Sequence, residues 1–242
     1  MIKRRTILQT GLSVALGRPL LAAVQSNGLA AAADVLQTAT DSGQVAAAAL
    51  HVQQGEQVFA RSFGAAKTTD AIFLLASISK PISIAAVMTL YDQGGFVLDD
   101  PVRKFLPEFT GEGRDDVTMR QLLTHNSGLP DQLPQNAELR AGHAPLSAFL
   151  KGATHTPLLF QPGSRYSYSS MAILLATEVG RRISGKSIAT LVDEAVCRPL
   201  GMQHSALGVG RFRPETLMPC QVENAAPESG AGGANTKSWD WN

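Results

Sequence analysis

The sequence predicts a mixed α and β fold: an antiparallel sheet flanked by helices, joined to a mostly helical layer, with the C-terminal sheet strands missing. Three observations predict it. Two β-rich stretches, Val45 to Gln53 and Gln57 to Phe63, flank Gly55 near the start of the chain. Apolar residues at helical spacing fill the middle. Beyond Gly208 this patterning fades, and a glycine-rich run from Gly230 leads to Trp239 and Asn242 with no closing helix or strand.

The elements follow in order. Lys3, Arg4 and Arg5 precede an apolar run from Gly11 to Val24, so residues 1–26 read as an export signal of twin-arginine type, directing the protein to the periplasm. Arg18 and Pro19 interrupt that run, which leaves an amphipathic helix of the mature fold as the alternative and is too short for a permanent membrane anchor. Residues 27–242 then form the N-terminal portion of one domain. Its sheet part is 27–76, its helical part 77–204 and an irregular return segment 205–242.

Leu29 to Ala39 is alanine-rich and helical. The hairpin follows, and because two strands alone are marginal, further strands should join it from elsewhere. After Ser77, the residues Ile84, Val87, Met88 and Tyr91 fall on one helical face that Gly94 and Gly95 close. Asp100 and Pro101 open a short helix as N-cap and first helical residue. Thr118 and Gln121 read as a capping box for a helix over Met119 to Leu123. A turn at Pro162 and Gly163 precedes a helix from about Ser169 to Ile183, and Ser187 caps another that runs to about Cys197.

Composition excludes several functions. The 242 residues are 44% hydrophobic and 17% charged, as in a folded globular chain, and the formal charge of +1 gives no field to attract nucleic acid. Five scattered histidines and two cysteines, Cys197 and Cys220, make no metal-ligand pattern, so neither a metal nor any other cofactor is expected. The two cysteines could pair in an oxidising compartment or remain separate buried thiols. No Gly-x-Ser-x-Gly, dinucleotide fingerprint or P-loop is present.

Chemistry begins at Ser77-Ile78-Ser79-Lys80. With Ser77 at a helix start, Lys80 lies one turn on and faces the same side. A lysine amine can relieve the serine hydroxyl of its proton if desolvation or a second cation drives off its own. By itself Ser-x-x-Lys occurs by chance about half the time in a chain this rich in serine. Tyr168, just before a helix, adds a second group: a phenolate beside Lys80 could take the Ser77 proton and return it to a leaving group. Its bland alternative is a half-buried aromatic at a turn.

The run Ile72 to Pro81, containing Ser77 and Lys80, resembles the nucleophile segment of class C β-lactamases, D-Ala-D-Ala peptidases and family VIII carboxylesterases. Four more stretches resemble the same superfamily in the same order: Leu98 to Pro101, Leu122 to Pro130, Pro162 to Ser170, and Arg198 to Met202. The resemblance implies a β-lactamase/transpeptidase-like fold, Ser77 as acylated nucleophile, Lys80 as its activating partner, Tyr168 as general base and acid, and the Ser77 backbone N–H as an oxyanion donor. It leaves open which of Lys80 and Tyr168 holds the proton at rest.

Two departures stand out. Ser170 occupies the place of the family's substrate-contacting asparagine, which disfavours amide-side-chain recognition. The family's third motif, Lys or His followed by Thr/Ser-Gly on a strand, has no counterpart, since Lys237-Ser238 is followed by Trp239. His125 and Ser127 read as loop residues, His125 through a structural hydrogen bond, and Ser79 as a helix-start residue. The expected function is a serine hydrolase forming an acyl-enzyme with a small-molecule ester, amide or β-lactam, or with a peptidoglycan peptide. The alternative is a silent or truncated relative that only binds such ligands. The sequence fixes no oligomeric state.

Overall fold

A computed structural model describes residues 28–213 and 216–218. The expected export signal, Cys220, the glycine-rich run and Lys237 to Trp239 lie outside the described residues. The chain divides into two compact units, residues 1–71 and 72–242.

In the first unit, helix α1 (Leu29–Asp41) precedes strands β1 (Ala47–Gln54) and β2 (Gln57–Gly64). The strands pair antiparallel from Ala47 opposite Gly64 to Gln54 opposite Gln57. Only Gly55 and Glu56 remain for the turn, and Gly55 takes φ +58°. A left-handed residue at the first position of a two-residue turn matches the strands' twist, which is why glycine stands there. Among the described residues the sheet has these two strands and no third.

The second unit is helical. Ile72 bridges Leu217 in parallel, and Met218 donates its N–H to the Ile72 carbonyl at 2.8 Å. A 3-10 turn (Ala76–Ile78) leads into α2 (Ser79–Asp92). Then come α3 (Met119–Leu123), α4 (Asn136–Ala141), α5 (Leu146–His155), α6 (Ser170–Ser184) and α7 (Ile188–Val192), the last running into a π turn (Asp193–Cys197).

Helix α6 organises this unit. The Ser169 side chain accepts the Ala172 N–H, Gly185 ends the helix in the left-handed region, and Arg181 and Arg182 meet the negative end of its dipole. Met171, Ala172, Ile173, Leu175, Ala176, Glu178, Val179 and Gly180 are all buried, so apolar contact surrounds most of the helix instead of one stripe. Helices α2, α3, α5 and α7 pack against it. With Phe96, Leu106, Phe109 and Val117 from the connecting turns, they close a single apolar core.

The capping box is formed as expected: Thr118 Oγ1 accepts from Gln121 N, and Gln121 Oε1 accepts from Thr118 N. Ser77 sits at a helix start as expected, in the 3-10 turn that runs directly into α2. One expectation needs correction. Asp100 does not cap a helix: Pro101 is extended before a 3-10 turn (Val102–Lys104), and the Asp100 carboxylate accepts from Val97 N at 2.9 Å and Lys104 Nζ at 2.8 Å. Helices α4 and α5 were not foreseen, although Leu146, Phe149, Leu150 and Ala153 have the i, i+3, i+4, i+7 spacing of a helix face. Cys197 is buried, and that burial pushes its thiol upward.

Candidate active site

Ser77, Lys80 and Tyr168 converge. Lys80 Nζ donates to Ser77 Oγ at 2.8 Å, and Tyr168 Oη donates to the same oxygen at 3.0 Å. The Lys80 nitrogen also lies 5.1 Å from the centroid of the Tyr168 ring. Lys80 reaches Ser77 because three residues across the 3-10 turn into α2 bring the two side chains to one face. Ser77 is exposed and Lys80 half-buried, while the phenol is 39% exposed, so an incoming carbonyl has access to the hydroxyl.

The backbone before the nucleophile is strained. Ala76 takes φ +46°, a conformation that costs a residue with a Cβ about 1–2 kcal/mol. Ser79 Oγ donates to the Ala76 carbonyl at 2.6 Å and helps hold the turn. Strain of this kind persists where surrounding contacts over-determine it, and it is commonest at functional positions.

Tyr168 comes from a distant part of the chain, and two loops zipped together deliver it. Leu159 N–H bonds the Gly128 carbonyl at 2.7 Å, Gly163 N–H the Asn126 carbonyl at 2.8 Å, and Ser167 N–H the His125 carbonyl at 2.7 Å. The fourth tie is a side chain: Ser169 N–H donates to His125 Nδ1 at 3.1 Å. His125 thereby grips the residues on both sides of Tyr168, and its ring lies 4.7 Å from the tyrosine ring at 34°. Accepting at Nδ1 assigns the histidine's proton to Nε2. Desolvation and then the Lys80 charge hold the imidazole below its ordinary value, in keeping with that neutral form.

Gly128 shows how closely the two loops approach. Its φ is +87°, and a Cβ added there would fall 2.4 Å from the Phe160 carbonyl oxygen. The Gly128→Ala substitution should therefore cost about 2–4 kcal/mol, from the left-handed backbone and the overpacking together. A urea melt would show it as a lowered midpoint, and an unchanged midpoint would contradict the close approach.

The surroundings ease the ionisation of Tyr168. Burial, the largest influence, pushes the phenol upward, but the interactions with Lys80 and with Ser77 Oγ outweigh it and hold the group below its ordinary value. The opposing charge is Asp131, a residue the sequence reading passed over. Its Oδ1 accepts the Ser170 backbone N–H at 2.8 Å and the Ser170 hydroxyl at 2.7 Å. Ser170, the expected substrate contact, thus has its proton on Asp131. No sequence signal singles out Asp131, since an acidic residue directly after Leu129-Pro130 marks only a turn.

The remaining candidates are structural in their contacts. Ser127 is buried, and its Oγ accepts from Leu129 N at 3.3 Å. Ser79 opens α2. Among the described residues, no three His, Cys, Asp or Glu side chains gather where they could hold a metal ion.

Comparison with known proteins gives this arrangement a family. Esterase EstB of Burkholderia gladioli is 34% identical over 181 residues, spanning 66% of this chain and 46% of the esterase. The D-alanyl-D-alanine-carboxypeptidase/endopeptidase AmpH of Escherichia coli strain K12 is 29% identical over 208 residues, spanning 75% of this chain and 52% of AmpH. The chain thus spans about half the length of each of these relatives. Among solved structures, EstCE1, a hydrolase with promiscuous acyltransferase activity, superposes with a TM-score of 0.65 at 26% identity, covering 80% of this chain and 56% of that one. The Beta-lactamase family itself matches residues 32–238, and by that match the chain belongs to the Beta-lactamase family, in the superfamily of serine hydrolases.

Proposed function

We propose that the protein is an exported serine hydrolase that acts through an acyl-enzyme on small esters or amides, with β-lactams and cell-wall peptides next in order. One observation carries the reading: Ser77 Oγ is shared between Lys80 Nζ and Tyr168 Oη at 2.8 Å and 3.0 Å. With Tyr168 as phenolate the same short contact runs the other way, from the serine hydroxyl to the phenolate oxygen.

As Ser77 Oγ attacks the acyl carbonyl, Tyr168 takes the serine proton, and the Lys80 ammonium stabilises the charge passing through the pair. The carbonyl oxygen gains negative charge that the Ser77 backbone N–H can receive. Collapse of the adduct breaks the bond to the alcohol or amine, and Tyr168 returns its proton to that leaving group. Water then attacks the acyl-enzyme by the same steps in reverse order. Ester preference rests on Ser170, whose hydroxyl proton lies on Asp131 and is not offered to an amide carbonyl. The name of the Burkholderia gladioli relative, an esterase, points the same way.

The competing reading is a relative that binds such ligands without turning them over. Incubation with a fluorophosphonate and with a fluorescent penicillin separates the two. The expected result is a mass adduct on Ser77, faster with the fluorophosphonate, and none on Ser77→Ala. No adduct on the wild type, or equal labelling of the variant, would leave only the binding reading.

A further inference from the structure

Three residues in a row, Tyr168 to Ser170, face alternate ways. Ser169 is extended at φ −143° and ψ 116°, so its neighbours share one side and its own side chain takes the other. The Ser169 hydroxyl duly points inward: it is fully buried and donates to the Pro130 carbonyl at 2.7 Å. Ser170 is therefore placed on the same side as the phenol, and is half-exposed.

What Ser170 offers there depends on Asp131. A hydroxyl has one proton and two lone pairs. The proton is held at 2.7 Å by a carboxylate, the stronger kind of acceptor, and the Ser170 N–H holds that carboxylate at 2.8 Å from the first turn of α6. A fifteen-residue helix presents its positive end to Asp131, which fixes the carboxylate further. Releasing the Ser170 proton to a substrate would mean leaving a charged acceptor short of a donor.

We propose that Asp131 is a positioning and specificity-determining residue: by keeping the Ser170 proton it makes Ser170 an acceptor-only surface beside Tyr168, so that the site selects plain acyl groups over those bearing an acylamido carbonyl. This rests on the serine-hydrolase reading above and adds the acyl specificity to it. A penicillin or a peptide brings a carbonyl that asks for a donor at such a position, and here it meets lone pairs. A plain acyl chain asks for nothing.

The test uses the full chain and two p-nitrophenyl esters of equal chain length, the pentanoate and the N-acetylglycinate, which differ by an amide in place of two methylenes. The reading is the ratio of their kcat/KM values in each variant relative to wild type. Asp131→Ala removes the one oxygen that accepts from both the Ser170 N–H and the Ser170 hydroxyl, and so frees the hydroxyl proton. It should shift the ratio about tenfold toward the N-acetylglycinate, as expected for one gained hydrogen bond. Ser170→Asn, which brings its own amide donor, should shift it the same way. Ser170→Ala removes a proton that never reached the substrate and should hold the ratio within about twofold.

A merely structural role for Asp131 would slow both esters alike, leave the ratio unmoved and overturn the proposal. A selective loss of N-acetylglycinate activity in Ser170→Ala would also overturn it, because the hydroxyl would then have been donating to substrate. Those failures leave Ser77 labelling intact. A chain inert to both esters and to the fluorophosphonate would instead overturn the hydrolase reading and this proposal with it.

Discussion

Tyr168→Phe should lower kcat/KM on a p-nitrophenyl ester by about 10²–10⁴-fold, the range supplied by a positioned general base. The substitution removes one oxygen and keeps the ring, so the stack on His125 survives. The phenol's 3.0 Å contact with Ser77 Oγ and its interaction with Lys80 are lost. The pH profile makes the assignment specific. Tyr168 lies below its ordinary value of 10.0, so its phenolate forms at lower pH than in a free tyrosine, and kcat/KM should climb with pH along a limb centred below 10. The charged or titratable groups facing the phenol are Lys80, Asp131 and His125. The Lys80 ammonium moves the limb down and Asp131 moves it up. In Tyr168→Phe that limb should vanish. A variant that keeps the wild-type limb, or loses less than about threefold in rate, would remove Tyr168 from the proton-transfer role.

Much of this site was legible in the residues, for a physical reason. Ser77 and Lys80 are three positions apart, and local backbone geometry alone brings such a pair together. Tyr168 is 91 positions from Ser77, and no periodicity links them. What made it legible was the resemblance of two loops to the family's, one holding His125 and Gly128, the other Pro162 and Gly163. Each carries a turn residue with a special backbone requirement, and the structure shows these loops hydrogen-bonded to each other. Asp131 escaped because its work is done through Ser170 N and Oγ, and a lone acidic residue after a Leu-Pro pair predicts only a turn. The Asp100 reading failed for a related reason. An Asp-Pro pair suits a helix start, but the carboxylate found a stronger claim in Lys104 and the Val97 N–H.

The fold divides in the same manner. The α1 helix, the hairpin and the capped α3 and α6 helices were readable because caps and glycine turns act within a few residues. Helices α4 and α5 connect the two marked loops and carry no capping side chain at either start, so only the apolar spacing of α5 could have announced it. Glu178 is the clearest case of tertiary context deciding a residue's role. In sequence it is a charge within an apolar helical run. In the structure it is one of the few charged side chains buried in the second unit.

That burial makes the arginines around Glu178 the strongest test of how α6 is held. The carboxylate is 6% exposed and accepts from Arg181 Nε at 2.6 Å, Arg181 Nη2 at 2.8 Å and Arg182 Nε at 2.8 Å. Arg182 continues to the Phe105 carbonyl at 3.1 Å and to Glu108, tying the end of α6 to the turn before Phe109. Replacing both arginines, Arg181→Met with Arg182→Met, strands the carboxylate and should destabilise the fold by about 3–5 kcal/mol at pH 7. Glu108→Gln alone, which breaks only the partly exposed arm, should cost under about 1 kcal/mol. The pH dependence separates a stranded charge from lost packing. In the wild type, burial pushes Glu178 upward but the hydrogen bonds from the arginines prevail and hold it below its ordinary 4.5, so its contribution is present above that value and fades as pH falls. Without the arginines, burial acts unopposed, and the cost of the charge is relieved when the carboxyl takes up a proton in acid. The gap between wild type and double variant should therefore narrow as pH drops from 7 toward 4, measured by urea denaturation at each pH. A gap that stays constant would mean the arginines act through their apolar stems, and that α6 needs no charge to hold its end.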